Sequence, residues 1–289
     1  MTATPAAARR SRVKERSLQA ASIIAFFLVM FAAMVLLRWA SLFVPGLDRA
    51  STEEIVDPWI MLGGAIIATW LMLRVQRWPW SAVALDAPAA SPTIVAKGAV
   101  MGGLTIGAAS LGLLAVQMLR IVPTTPGSSL ATAGRYTLIL LPAAFFEELF
   151  IRGYPFAVLR RVAGWRMALI VTSVLFGLMH IANPGADGES ILAVTVAGFF
   201  LGAILLATRS LYAAGAAHFA WNWVMAGGLH IAVSGLPARD PDYRTVETGP
   251  DWLTGGQWGP EGGLAAVVVM FVMIFYLYGR YLRRMESRA

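Results

Sequence analysis

Long apolar runs constrain this chain more than any other feature of its sequence. Several of them reach the ~20 residues with which a helix crosses the hydrocarbon core of a bilayer. The 289-residue sequence is 58% hydrophobic and only 13% charged, which is too apolar for an ordinary soluble domain. Inside lipid every backbone polar group has to be bonded within the protein, so such runs predict helices. We therefore expect an integral membrane protein that folds as an all-α, polytopic transmembrane helical bundle.

The apolar runs divide the chain into about eight predicted membrane-spanning helices. The predicted spans are 18–37, 58–74, 92–118, 136–159, 167–182, 190–208, 211–233 and 263–281. The first run is longer than the ~7–15 residues of a signal-peptide core, so we expect it to remain as an uncleaved span. Pro155 is expected to kink the fourth span near one of its ends.

Basic residues lie mostly in the short segments between the runs, which indicates topology rather than a binding surface. If the N-terminus is cytoplasmic and the chain passes through all the predicted spans, most Lys and Arg fall inside and most Asp and Glu outside. The net charge of +7 then gives no indication of a nucleic-acid partner. We predict a protein of the bacterial cytoplasmic membrane whose N- and C-termini are both cytoplasmic.

The segments outside the spans are short, and they leave no room for a soluble domain. We expect a cytoplasmic basic tail at 1–17, a transmembrane bundle at 18–284 and an extracytoplasmic loop at 234–262. Trp252 and Trp258 in that loop are expected at the membrane interface, where tryptophan accumulates. Cysteine is absent from the sequence, which excludes disulfides, a thiol nucleophile and a thiolate zinc site.

Few polar side chains occur within the predicted spans, and ionisable groups at membrane depth are functional candidates by default. They are Glu147, Glu148 and Arg152 in the fourth span, His180 in the fifth, and His218 and Asn222 in the seventh. With a helical rise of about 1.5 Å per residue, the groups on the three spans come out at compatible depths and could meet in one polar cavity. His230 lies near the end of its span, where it can reach the membrane interface.

Spacing along the fourth span gives its two carboxylates different partners. Glu148 and Arg152 are four residues apart in the orientation that favours a helical ion pair. Glu147 is left without a cation on its own helix, and a buried carboxylate beside another carboxylate is suited to act as a general base. Each feature also has a purely structural interpretation: an ion pair that holds the helix, or histidines that only pack and hydrogen-bond.

Three short motifs together resemble the signature of a known family. They are Glu147-Glu148-x-x-x-Arg152, Phe176-x-x-x-His180 and His218-x-x-x-Asn222. In order, spacing and placement on hydrophobic spans they are similar to the motifs of the CAAX-protease and bacteriocin-processing (CPBP, or Abi) family of intramembrane proteases. The resemblance covers about 136–225, which would be the protease core.

The resemblance implies an endopeptidase that hydrolyses a peptide bond of a membrane-associated protein or peptide. Glu147 would act as the general base that activates water, assisted by His180. His218 and Asn222 would stabilise the oxyanion. The supporting residues would be Glu148, Arg152 and Phe176.

A metal ion is the first alternative that the residues leave open. Glu147, His180 and His218 would supply the two imidazoles and one carboxylate of a catalytic zinc site. The sequence contains no His-Glu-x-x-His motif, the most familiar arrangement of a zinc protease. We therefore favour hydrolysis without a metal cofactor.

Two other classes of function also remain open. The protein would be a non-catalytic membrane scaffold or a bacteriocin-immunity protein if the same fold only binds a partner. It would be a proton-coupled carrier if the buried Glu and His form a proton relay, although no inverted repeat is visible in the sequence.

Small residues in the third span, such as Gly98 and Gly102, and in the seventh, such as Ala217, suit close helix packing. That packing would occur within one chain or between copies, so the oligomeric state stays open.

Overall fold

The computed structural model describes residues 5–44, 50–238 and 242–282. Residues 1–4 and the side chains of 5–16, which make up most of the predicted basic tail, lie outside the described part. The helices are α1 (Pro5–Ser41), α2 (Ala50–Gln76), α3 (Pro92–Ala115), α4 (Ser129–Arg152), α5 (Tyr154–Met179), α6 (Gly188–Thr208), α7 (Leu211–Trp223), α8 (Asp251–Thr254) and α9 (Leu264–Leu277). The strands are β1 (Leu119–Pro123) and β2 (Tyr243–Glu247). Two π-helical segments, Val224–Leu229 and Tyr278–Leu282, prolong α7 and α9.

The long helices confirm the all-α polytopic fold. Among the described residues, six stretches are long and apolar enough to cross a membrane, and one of them, Ser129–Met179, contains both α4 and α5. With its π-helical continuation, α7 adds a further helix of similar length. The predicted number of spans therefore agrees approximately with the structure.

The junction between α4 and α5 differs from the prediction. We expected the fourth span to run to residue 159 with a kink at Pro155, but α4 ends at Arg152 and Gly153 separates it from α5. Pro155 lies in the first turn of α5, where its missing N–H costs no helical hydrogen bond. The break within α5 falls instead at Gly164, whose φ of 85° is not helical.

Helices α3 and α7 pack with their backbones in close contact. A Cβ atom built on Gly98 would lie 2.1 Å from the carbonyl oxygen of Ala213, and one on Gly102 would lie 2.0 Å from that of Ala217. Nothing lies within 4 Å of such an atom on Gly107. Gly98 and Gly102 therefore serve packing within one chain, and they fix the helix that carries His218.

A two-stranded antiparallel sheet joins two segments that are distant in sequence. β1 and β2 pair with Leu119 opposite Glu247 and Pro123 opposite Tyr243. Just before β2, the carboxylate of Asp242 accepts hydrogen bonds from the backbone N–H of Gly127 and from the N–H and hydroxyl of Ser129, at the start of α4. The sequence did not predict these strands, which anchor part of the expected loop at 234–262 to the bundle.

Two predictions about interfacial side chains are wrong. Trp258 is 1% exposed and belongs to the core, whereas Trp252 is 53% exposed. His230 is also 1% exposed, and its ring stacks on that of Tyr243 with centroids 4.2 Å apart. Both residues are buried because the segment after α7 folds back against the helices, so neither reaches the bilayer surface from there.

Candidate active site

The two adjacent carboxylates of α4 lie in different surroundings. The side chain of Glu148 is completely buried. Its Oε1 atom accepts hydrogen bonds from Arg152 Nη1 at 2.7 Å and from His218 Nδ1 at 3.1 Å. The side chain of Glu147 is 25% exposed and forms no comparable pair with Arg152. The structure thus contains the ion pair predicted from spacing, and it adds a bond between Glu148 and His218 that spacing did not predict.

Arg152 connects α4 to two other helices. Its Nη2 donates a hydrogen bond of 2.9 Å to the carbonyl oxygen of Gly198 on α6. Its guanidinium carbon lies 4.7 Å from the centre of the Phe176 ring on α5, which is a cation–π distance. A buried arginine with a carboxylate, a carbonyl and an aromatic face as partners holds these three helices in one arrangement.

Glu147 faces both imidazoles of the candidate site. Its Oε2 atom lies 3.8 Å from Nε2 of His218 and 4.0 Å from Nε2 of His180. That oxygen is buried and has no hydrogen-bond partner among the described residues. These distances are too long for direct hydrogen bonds. They place one Nε2 atom from each imidazole within 4.0 Å of a single carboxylate oxygen.

His180 ends α5 rather than lying within it. We expected the fifth span to continue to residue 182, but the helix ends at Met179 and His180 is its C-terminal cap. Nδ1 of His180 lies 2.7 Å from the carbonyl oxygen of Phe176. Because a carbonyl can only accept, Nδ1 carries the proton in this bond, and Nε2 of the neutral ring is an acceptor directed toward Glu147.

Phe176 lies between the charged pair and the histidines. Its ring centroid is 5.0 Å from that of His180 and 5.7 Å from that of His218. It is 2% exposed. Contact with Arg152 on one side and with both imidazoles on the other explains why an aromatic residue suits this position.

His218 and Asn222 lie on one face of α7, as their spacing predicted. Both are buried, and the amide of Asn222 makes no side-chain hydrogen bond to any other described residue. They line a pocket of about 20 Å³, which is room for roughly one water molecule. The pocket also includes His180, Ser234 and Glu261.

Glu261, Ser234 and Trp221 contribute to this pocket, and sequence reasoning missed all three. The sequence predicts an extracytoplasmic loop at 234–262, and no spacing rule connects the acidic residues of that loop to the motifs. Glycines lie on both sides of Glu261, in the run Gly259-Pro260-Glu261-Gly262-Gly263, and they permit tight backbone packing there. That was the one local signal available.

The segment that carries the three motifs is similar to a known protein family. Residues 129–224 match the family model described as type II CAAX prenyl endopeptidase Rce1-like. No significant match was found among the curated proteins or among the solved structures. The matched segment contains every motif residue from Glu147 to Asn222, and these are the residues that the helices bring together. The match of this segment to the Rce1-like family model supports the resemblance to the CPBP family that the three motifs indicate.

Proposed function

We propose that this protein cleaves a peptide bond of a membrane-associated protein or peptide, with Glu147 and His180 activating the water. The observation that carries the proposal is the convergence of Glu147 Oε2 with the Nε2 atoms of His180 and His218, at 4.0 and 3.8 Å. A water molecule would be hydrogen-bonded at about 2.8 Å from such acceptors. Two acceptors 4 Å apart are well placed to share one water, and Glu147 removes its proton as the oxygen attacks the carbonyl carbon.

The oxyanion that forms in this step needs donors. Asn222 supplies its side-chain amide, which has no other partner within the described part of the chain. His218 donates from Nε2 when its ring is protonated, because Glu148 already accepts from Nδ1. Each such donor is worth about 3 kcal/mol of transition-state stabilisation. The proton held by Glu147 then passes to the leaving amine, which balances the hydrolysis.

A catalytic zinc ion fits the donor types of this site but not their spacing. Both histidines have Nδ1 bonded and Nε2 free, an orientation that is common among metal-bound histidines. With metal–ligand bonds of about 2.1 Å, however, ligands at the corners of a tetrahedron are about 3.4 Å apart, and here the distances from Glu147 Oε2 are 3.8 and 4.0 Å. No group of three metal-binding side chains was found in the described residues. We therefore propose metal-independent hydrolysis. Loss of cleavage with a chelator and its return with zinc would contradict this proposal.

Comparison of membrane proteomes tests the function while the substrate is still unidentified. A strain that expresses the wild-type chain is compared with one that expresses Glu147→Gln, which keeps the size of the side chain and removes the base. We expect at least one membrane-associated protein to lose its cleavage product in the variant. Glu189→Gln, at an exposed position in the first turn of α6, serves as the control and should cleave normally. Identical cleavage products in the wild-type and Glu147→Gln strains would refute the proposal.

A further inference from the structure

Glu261 is a third buried carboxylate beside the candidate active site, outside the segment that matches the family model. It is 6% exposed. Its Oε2 atom accepts a hydrogen bond of 2.7 Å from the indole N–H of Trp221. Its Oε1 atom accepts from the backbone N–H of Ser234 at 2.6 Å and from the Ser234 hydroxyl at 2.7 Å. One carboxylate that accepts three hydrogen bonds through its two oxygens holds the three donors in fixed positions.

These bonds connect two elements that carry candidate catalytic residues. Trp221 directly precedes Asn222 on α7, so a bond to its indole fixes the helix turn that presents the amide. Ser234 in turn accepts a hydrogen bond of 2.9 Å at its carbonyl oxygen from the side chain of Asn183, which lies in the turn that follows His180. Glu261 therefore ties the turn after α5 to α7 through one side chain.

Glu261 and Ser234 also form one wall of the small pocket beside His180, His218 and Asn222. The pocket volume of about 20 Å³ is enough for roughly one water molecule, provided that two or more polar groups bind it. Without the Glu261–Ser234 contact this wall would lose its fixed position, and the pocket would no longer be matched to one water.

We propose that Glu261 is a positioning residue of the active site. By binding Trp221 and Ser234 it holds Asn222 and the turn after His180 in register, and it keeps the adjoining pocket at the size of one water. The proposal rests on the proteolytic function proposed above. It implies that the family-matched segment is not a complete active site, and that the segment before α9 supplies an essential part.

The first test is steady-state cleavage by the full-length protein in proteoliposomes, with the substrate identified from the Glu147→Gln comparison. Glu261→Gln keeps an oxygen acceptor for Ser234 but presents an NH2 group to the Trp221 indole N–H. We expect kcat to fall about ten- to a hundred-fold, the size of effect produced by small displacements of catalytic groups. KM should change little, and the melting temperature should fall only moderately, because one of the three buried hydrogen bonds is lost. Trp221→Phe removes the same bond from the other side and should reduce kcat in parallel. Glu247→Gln, on β2 and away from the pocket, is the matched control.

A second measurement does not depend on proteolysis. The chain contains only 3 histidines, so ring-15N labelling gives separate signals for His180 and His218. We expect these two signals to change in Glu261→Gln and to stay at their wild-type values in Glu247→Gln. If the wild-type protein cleaves nothing, the proposed function fails while these signals still decide whether Glu261 positions the site. A folded Glu261→Gln protein with wild-type kcat or with unchanged His180 and His218 signals would overturn the proposal.

Discussion

Removing one partner of the buried Glu148–Arg152 pair should destabilise the protein strongly. Both side chains are fully buried, and their closest atoms are 2.7 Å apart. In Arg152→Met, Glu148 keeps only His218 as a partner, the Gly198 carbonyl loses its donor, and the cation–π contact with Phe176 disappears. Breaking a buried ion pair from one side costs about 3–5 kcal/mol, because a charge is left without compensation. We expect Arg152→Met to lower the free energy of unfolding by this amount.

The double variant Glu148→Gln/Arg152→Met completes a double-mutant cycle, which measures the interaction between the two side chains apart from the other contacts that each of them makes. It removes both charges of the pair, so neither is left without its partner, and its cost should be smaller than the sum of the two single variants. We expect a coupling free energy of at least about 1.5 kcal/mol, within the range known for residues in direct contact. The same cycle on Arg38 and Glu53, whose side chains are 34% and 42% exposed, should give less than about 1 kcal/mol.

Equilibrium unfolding in mixed micelles, followed by tryptophan fluorescence, measures these quantities. Each variant is titrated with increasing mole fraction of denaturing detergent, and reversibility is checked by dilution back into mild detergent. A coupling below about 0.5 kcal/mol for Glu148 and Arg152, equal to that of the exposed pair, would refute the reasoning. It would mean that burial in the bundle adds nothing to their interaction.

Two further predictions concern packing and pH. Gly102→Ala should destabilise the bundle and reduce cleavage, since its Cβ would clash with the carbonyl oxygen of Ala217 beside His218. Gly107→Ala is the control, because a Cβ at this position has open space around it, and it should melt at the wild-type temperature. Equal melting temperatures for the two variants would contradict this packing. Burial, and then the charge of Asp251, raise the pKa of Glu247 from its usual 4.5 to about 8. At a pH between these two pKa values, Glu247 holds a proton in the folded protein that it has released in the unfolded chain. The free energy of unfolding should therefore fall as pH rises from about 5 to about 9. Thermal unfolding should show a melting temperature that falls with rising pH in wild type, and a smaller fall in Glu247→Gln and Asp251→Asn. An identical pH dependence in all three proteins would contradict the raised pKa of Glu247.

Local spacing carried much of the information about this protein. The apolar runs predicted the all-α membrane fold because a helix in lipid needs ~20 apolar residues and has few alternatives. The i,i+4 spacing of Glu148 and Arg152 predicted their contact because such residues are neighbours on any helix. The same logic placed His218 and Asn222 on one face. The boundary at Gly153 was missed, since Pro155 is compatible both with a kink and with a first turn.

Contacts between distant segments were decided only by the tertiary structure. Glu148 binds His218 across 70 residues, and Glu261 binds Trp221 across 40. No periodicity links residues that far apart, because each contact depends on how whole helices and the segment at 234–262 pack against one another. The sequence by itself therefore determined the fold class and which side chains of the motifs are chemically distinctive. Only the packed helices decided which atoms of Glu147, His180 and His218 face each other, and that a carboxylate outside the motifs joins them.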